Sequence, residues 1–208
     1  MSTFMKYMKY LLPATAFGMF AIVGTVINVT PRALAGPDTF TTIDVPGATS
    51  TFAAFAINPQ GEIVGRYDFP AAGVGHGFLL SGGSFTTIDV PGATLTSAFG
   101  INPRGDIVGR YISAGLDHGF LLSRGSFTTI DVPGATFTSA FGINPRGDIV
   151  GQYTSAGVSH GFLLSGGSFT TIDFPGASFT IAQGINPRGD IVGRYISAGV
   201  SHGFLLSK

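Results

Sequence analysis

The stretch SHGFLLSGGSFTTIDFPGA, residues 159–177, decides the fold, because close copies of it begin near Gly75 and Asp117. Two runs rich in apolar and β-branched residues flank Gly166-Gly167, the pattern of a tight β-hairpin. His160 and Asp173 lie at equal distances from that tip, so a symmetric turn sets them opposite each other on antiparallel strands. His76 with Asp89 and His118 with Asp131 keep the same separation. His202 has no aspartate after it and Asp44 no histidine before it, so these two are expected to complete a fourth pair.

Working outward, the whole region from Gly36 to Lys208 reads as four copies of one motif. The markers Asp44, Asp89, Asp131 and Asp173 are 45, 42 and 42 residues apart, and the repeats run over about 38–80, 81–123, 124–165 and 166–208. The first copy is longer at a turn, where insertions cost little. Within one period, Phe127-Thr-Thr-Ile-Asp131 stops at Val132-Pro133-Gly134, and Thr138-Ser-Ala-Phe-Gly-Ile143 leads into Asn144-Pro145-Arg146-Gly147. Asn, Pro and Gly suit the first, second and last positions of a tight turn. The chain returns through Asp148-Ile-Val-Gly-Gln-Tyr153, and Ser155-Ala-Gly-Val bridges to His160-Gly-Phe-Leu-Leu164.

Each period thus supplies four short strands in up-and-down order, and about 40–45 residues is the length of a four-stranded propeller blade. Both strand faces carry apolar or very small residues, so neighbouring sheets are expected to cover them, with Gly142, Gly151 and Gly161 allowing close approach. The expectation is an all-β, β-propeller-like array of four four-stranded blades. If a blade begins at the strand before the Asn-Pro turn, the last blade lacks its fourth strand. Phe40-Thr-Thr-Ile-Asp44 then supplies it and closes the ring. A β-solenoid or an open arc is the alternative, as is a larger ring completed by two chains.

Composition narrows the function. Thirty-two glycines, 19 phenylalanines and only 11% charged residues indicate closely packed sheets with few solvated faces. The full chain has no net charge, and without Lys6, Lys9 and Arg32 eight basic side chains face eleven acidic ones. No concentrated basic footprint exists for nucleic acid.

The first 35 residues combine Lys6 and Lys9, an apolar run from Leu11 to Val29, and Ala33-Leu34-Ala35 before Gly36. This arrangement predicts a secretory signal cleaved after Ala35, with an uncleaved membrane anchor as the alternative. Residues 36–208 then form a single four-repeat β domain. The chain has no cysteine, which removes a disulfide framework, a thiolate metal site and a lipid-modified N-terminal cysteine.

The motifs Gly-Ile-Asn-Pro-Arg-Gly-Asp-Ile-Val-Gly and His-Gly-Phe-Leu-Leu together resemble the bacterial HAF family of extracellular repeat proteins. That family takes its name from a His-Ala-Phe triplet after a Gly-Ile-Asn-x-x-Gly-x-Val-Gly segment. Here the triplet is His-Gly-Phe at His76, His118, His160 and His202, with the Asn segments at Asn58, Asn102, Asn144 and Asn186. The resemblance covers about residues 38–208. It implies an exported, propeller-like bacterial protein and brings no catalytic residues with it.

Three sets of side chains invite functional readings. The pairs His76–Asp89, His118–Asp131, His160–Asp173 and His202–Asp44 are expected to be structural hydrogen bonds, although four imidazoles near one axis would also suit a transition metal. Arg66, Tyr67, Arg110, Tyr111, Gln152, Tyr153, Arg194 and Tyr195 place an aromatic beside a planar hydrogen-bonding group in each repeat. That is the composition of a sugar subsite repeated for avidity, set against plain packing of Tyr between blades. Arg-Gly-Asp at Arg104, Arg146 and Arg188 is most simply turn chemistry.

Nothing in the sequence sets a nucleophile beside a base, and four equal copies do not make one asymmetric pocket. The expectation is therefore a protein that is not an enzyme and has no metal or cofactor. It would be secreted or held at the cell surface as a structural or interaction module. The alternative is a multivalent lectin-like binder of carbohydrate. Expected partners are surface carbohydrate or protein, with the membrane met only through the signal segment if that stays uncleaved.

Overall fold

The computed structural model describes residues 40–69 and 74–208. The expected signal segment and its cleavage site lie outside these residues. Residues 42–208 form one compact body, and of what precedes it only Phe40 and Thr41 are described.

All regular elements among the described residues are strands, which meets the expected all-β class. The first meander holds β1 (Ser50–Ile57), β2 (Ile63–Asp68), β3 (Gly75–Ser81) and β4 (Ser84–Ile88). The second holds β5 (Leu95–Ile101), β6 (Ile107–Ser113), β7 (Leu116–Ser123) and β8 (Ser126–Ile130). The third holds β9 (Phe137–Ile143), β10 (Ile149–Ser155), β11 (Val158–Ser165) and β12 (Ser168–Ile172). The fourth stops at three: β13 (Phe179–Ile185), β14 (Ile191–Ser197) and β15 (Val200–Leu206).

Strands within a meander are antiparallel neighbours, as β9, β10, β11 and β12 illustrate. Successive meanders touch through single parallel bridges, Gly75 to Leu95, Asp117 to Phe137 and Ser159 to Phe179. The leading strands β1, β5, β9 and β13 pack on one another in succession.

Turn chemistry sets these boundaries. In Val132-Pro133-Gly134-Ala135 the Ala135 amide donates to the Val132 carbonyl at 3.0 Å, and Gly134 takes φ 79°, as a type II turn requires. The Asn-Pro turn closes with Gly147 donating to the Asn144 carbonyl, and Asn144 to that of Asp148, both at 3.0 Å. Ala156-Gly157 and Gly166-Gly167 have positive φ at both central positions, the type I′ geometry that suits strand twist.

Much of the core lies between meanders, while Tyr67 and Phe78 pack within the first. Val64 of the first is fully buried against Ile88, Ala98, Ile101, Ile107 and Phe120. Val108 packs likewise into the third meander beside Ile143, Ile149 and Phe162, and Val150 into the fourth beside Ala182 and Ile191. Glycine permits the approach. A Cβ on Gly161 would stand 3.2 Å from the Ala182 amide of the next meander. Gly151 serves a different purpose from the one expected: its missing side chain makes room for the Ser139 carbonyl and the Phe162 ring of its own meander.

One expectation fails. Among the described residues the hydrogen-bonded path of the sheet runs from β1 to β15 and does not close, and β15 pairs only with β14. Phe40–Asp44 carries no strand. Ile43 and Val45 are committed to the first meander instead. Ile43 packs beside Val45, Tyr67 and Phe78, and the Val45 amide donates to Thr51 Oγ1 at 3.0 Å. Four meanders do not bring β15 into pairing with it, so the N-terminal segment does not complete the last one.

Candidate functional site

The Asn-Pro turns are densely hydrogen-bonded. Asn102 is 1% exposed; its Oδ1 accepts from the Arg104 amide at 2.9 Å and the Asp106 amide at 3.0 Å. Its Nδ2 donates to Asp106 Oδ2 at 2.8 Å and to the Asn144 carbonyl of the next meander at 3.3 Å. Asn58 reaches the Asn102 carbonyl at 3.3 Å, and Asn144 that of Asn186 at 3.4 Å. A line of side-chain amides thus ties each turn to its neighbour.

The aspartates of Arg-Gly-Asp face inward. Asp106 Oδ1 accepts from Ser123 Oγ at 2.6 Å, and Oδ2 from Arg104 Nε at 2.9 Å as well as from Asn102. Burial acts to raise the Asp106 carboxyl, but the bonds from Ser123, Asn102 and Arg104 together outweigh it and hold the pKa below its ordinary value. Ser165 is the largest influence on Asp148 and lowers it, joined by Asn144 and Arg146 against burial. Asp190 is lowered by Asn186, then by the Lys208 amide and Arg188. Arginine and aspartate of each tripeptide bond to each other, and Arg146 also donates to the Pro187 carbonyl of the next turn, so the motif is used in building the turns.

The second construction joins His, Asp and Tyr. Nδ1 of His76 lies 2.9 and 3.0 Å from the two oxygens of Asp89, that of His118 2.9 and 3.1 Å from Asp131, and that of His160 3.0 Å from both oxygens of Asp173. An ionised carboxylate only accepts, which makes Nδ1 the donor. Each imidazole also stacks on the tyrosine across the strand, with centroids 5.3 Å apart for Tyr67–His76 and 5.0 Å for Tyr153–His160. The tyrosine hydroxyls bond to Thr87, Thr129 and Thr171 at 2.7–2.8 Å.

The histidines sit on the third strand of each meander, and His76, His118 and His160 bond to the aspartates of their own hairpins, as the structural reading of these pairs expects. Among the described residues, no three His, Cys, Asp or Glu side chains gather as metal ligands. Tyr67, Tyr111 and Tyr153 are 2%, 8% and 9% exposed. Adjacent strand residues point to opposite faces. Arg66 accordingly pairs with Asp68 at 3.0 Å, Arg110 with Asp117 at 2.9 Å, Gln152 donates to Ser159 at 3.1 Å, and Arg194 lies over Phe179. In the first three meanders the Arg or Gln and the Tyr therefore face opposite sides of the sheet, and Tyr195 of the fourth is half-buried.

The fourth meander breaks the pattern. Its Val192 is 50% exposed, where Val64, Val108 and Val150 are fully buried. Phe204 is half-buried and His202 exposed, and among the described residues no hydrogen bond joins His202 to Asp44. Beside Phe204 opens a cleft of about 370 Å³ lined by Leu163, Ile172, Phe174, Ile191 and Leu206. In the other meanders a fourth-strand phenylalanine stands there: Phe85, Phe127 and Phe169 meet Phe78, Phe120 and Phe162 with centroids 5.6 Å apart. At the opposite end Ile57 is 66% exposed, whereas its counterparts Ile101 and Ile143 are buried.

No family model matches this chain, and no curated protein matches it either. Similar solved structures include a streptogramin B lyase, at 17% identity and TM-score 0.44, covering 76% of this chain and 55% of that one. A catalytically inactive virginiamycin B lyase from Staphylococcus aureus with quinupristin is 14% identical, TM-score 0.43, with coverage of 72% and 53%. Selenomethionine-substituted virginiamycin B lyase from the same organism is 15% identical, TM-score 0.48, with coverage of 83% and 60%. The chain spans little more than half the length of these proteins.

Proposed function

We propose that this is an exported, non-catalytic repeat protein of propeller-like build, acting as a structural or interaction module at the cell surface or outside the cell. The observation that carries it is where the polar chemistry goes. His–Asp pairs, Tyr–Thr bonds and Asn-centred turns are satisfied inside the array, while apolar side chains lie open at its two ends, at Ile57 and at Val192, Leu205 and Leu206. Exposed apolar surface bounded by an unpaired strand edge is docking surface. The N-terminal signal pattern and the resemblance to the HAF repeats support export. The burial of Tyr67, Tyr111 and Tyr153 favours this reading over the carbohydrate-binding alternative.

The test expresses the full chain in a bacterial host, fractionates the cells and sequences the N-terminus of the product. Export predicts protein outside the cytoplasm beginning at Gly36, and cytoplasmic protein with residues 1–35 intact would contradict it. A glycan array with and without calcium should give no signal. Turnover of a substrate, lost on substitution of His118, would overturn the non-catalytic part.

A further inference from the structure

The two ends of the array carry complementary parts of the repeated unit. Ile43 and Val45 sit on the first meander as Ile88 and Val90 sit on the second. The Val45 amide is held by Thr51 Oγ1 at 3.0 Å and the Val90 amide by Thr96 Oγ1 at 3.2 Å. Ile43 and Asp44 are therefore placed as the end of a fourth strand, and in sequence residues 40–44 repeat the Phe-Thr-Thr-Ile-Asp of residues 85–89. What they lack is a third strand to lie against. β15 is a third strand, and among the described residues nothing pairs with its outer edge.

We propose that a second copy of this chain docks head to tail, its residues 40–44 adding to β15 as the missing fourth strand.

Each internal meander shows the contacts this makes. Phe40 of the second copy enters the cleft beside Phe204, as Phe169 lies beside Phe162. Thr42 meets the Tyr195 hydroxyl as Thr171 meets Tyr153, and Asp44 accepts from His202 Nδ1 as Asp173 does from His160. The faces behind the strand match as well. Val192 comes to rest against the second copy's Ile57 and Ile63, as Val150 rests against Ile191 in the fourth meander. Asn186, whose Nδ2 bonds among the described residues only to Asp190, reaches the second copy's Asn58 carbonyl. The two faces differ, so the contact is heterologous and repeats at every junction until the assembly closes or extends. Strand addition supplies the backbone bonds, and the matched side chains supply the register.

This inference rests on the reading of the protein as an interaction module, and it is tested separately. The chain has no cysteine, so a disulfide between positions 44 and 202 forms only where those residues meet. Full-length Asp44→Cys and His202→Cys chains, carrying different tags, are mixed and oxidised. The expected product is a disulfide-linked pair holding both tags, absent when either variant is oxidised alone and lost when Val192→Asp is added to the His202→Cys chain. Val192 is exposed, so that substitution leaves the single chain folded, with an unchanged melting midpoint at high dilution as the control. No mixed product overturns the proposal. So does a monomeric, internally linked product from the double variant, which would mean that one chain closes on itself. Neither result touches export or absence of turnover, and enzymatic activity would sink the module reading while leaving the linked pair in place.

Discussion

The Asn102 side chain donates to the carbonyl oxygen of Asn144 at 3.3 Å, across the boundary between two meanders, while holding its own turn through Asp106. One side chain thus closes a hairpin and fastens it to the next. Asn102→Ala leaves the Asp106 and Arg104 amides without their buried acceptor, and should lower stability by about 2–4 kcal/mol in urea unfolding. Asn102→Asp keeps the acceptor but sets a second carboxylate against Asp106, so it should do no better. A midpoint within error of the wild type for either variant would deny the turn its role.

Acid should loosen the same turns. The carboxyls of Asp106, Asp148 and Asp190 all have pKa values below the ordinary one, which for an unfolded chain is about 3.9. Near that pH the unfolded state binds more protons, so stability rises with pH. Their contribution is complete above the unfolded value and drains away as pH falls through the folded ones. Urea midpoints measured from pH 6 to pH 2 should therefore drop below about pH 4. The drop should be smaller in Asp148→Asn, and a flat profile would count against the assignment.

His118→Ala removes the bond to Asp131 and the stack on Tyr111, with centroids 5.0 Å apart. A buried orphan aspartate would cost up to ~3 kcal/mol. The Asp131 side chain is 47% exposed, and water solvates it once the histidine is gone. The expected loss is about 1 kcal/mol. Tyr111→Phe, which strips the hydroxyl from Thr129, should cost about as much. Thermal melts decide both, and a loss in His118→Ala well beyond that of Tyr111→Phe would show the pair to be more buried than described.

The tip between β10 and β11 offers a gain. Ala156 holds φ 49°, a conformation in which its Cβ is crowded and which Asn and Gly accept more readily. Ala156→Asn should raise stability by about 0.5–1 kcal/mol. A fall in the melting temperature would show that the turn is not type I′ in solution.

Much of this was legible in the sequence because it is local. Turn residues such as Asn144-Pro145-Arg146-Gly147 fix where strands reverse. Equal spacing about Gly166-Gly167 fixes register, and so the pairing of His160 with Asp173. The same counting about Ala156-Gly157 sets Tyr153 opposite His160, while the burial of the tyrosine depends on the neighbouring strands. The Asn102–Asn144 bond is different in kind: it depends on how far one meander lies from the next, which no spacing encodes. Closure failed for a related reason. Whether β15 returns to Asp44 depends on the rotation accumulated between meanders, and identical repeats are compatible with an arc or a ring.

The most direct test of an array with two open, matching ends is sedimentation equilibrium of the full chain beside its Val192→Asp variant. The wild type should sediment above the mass of one chain, with a concentration-dependent average, and the variant at the mass of one chain with the same melting midpoint. A wild type that stays at the mass of one chain up to its limit of solubility would contradict the account.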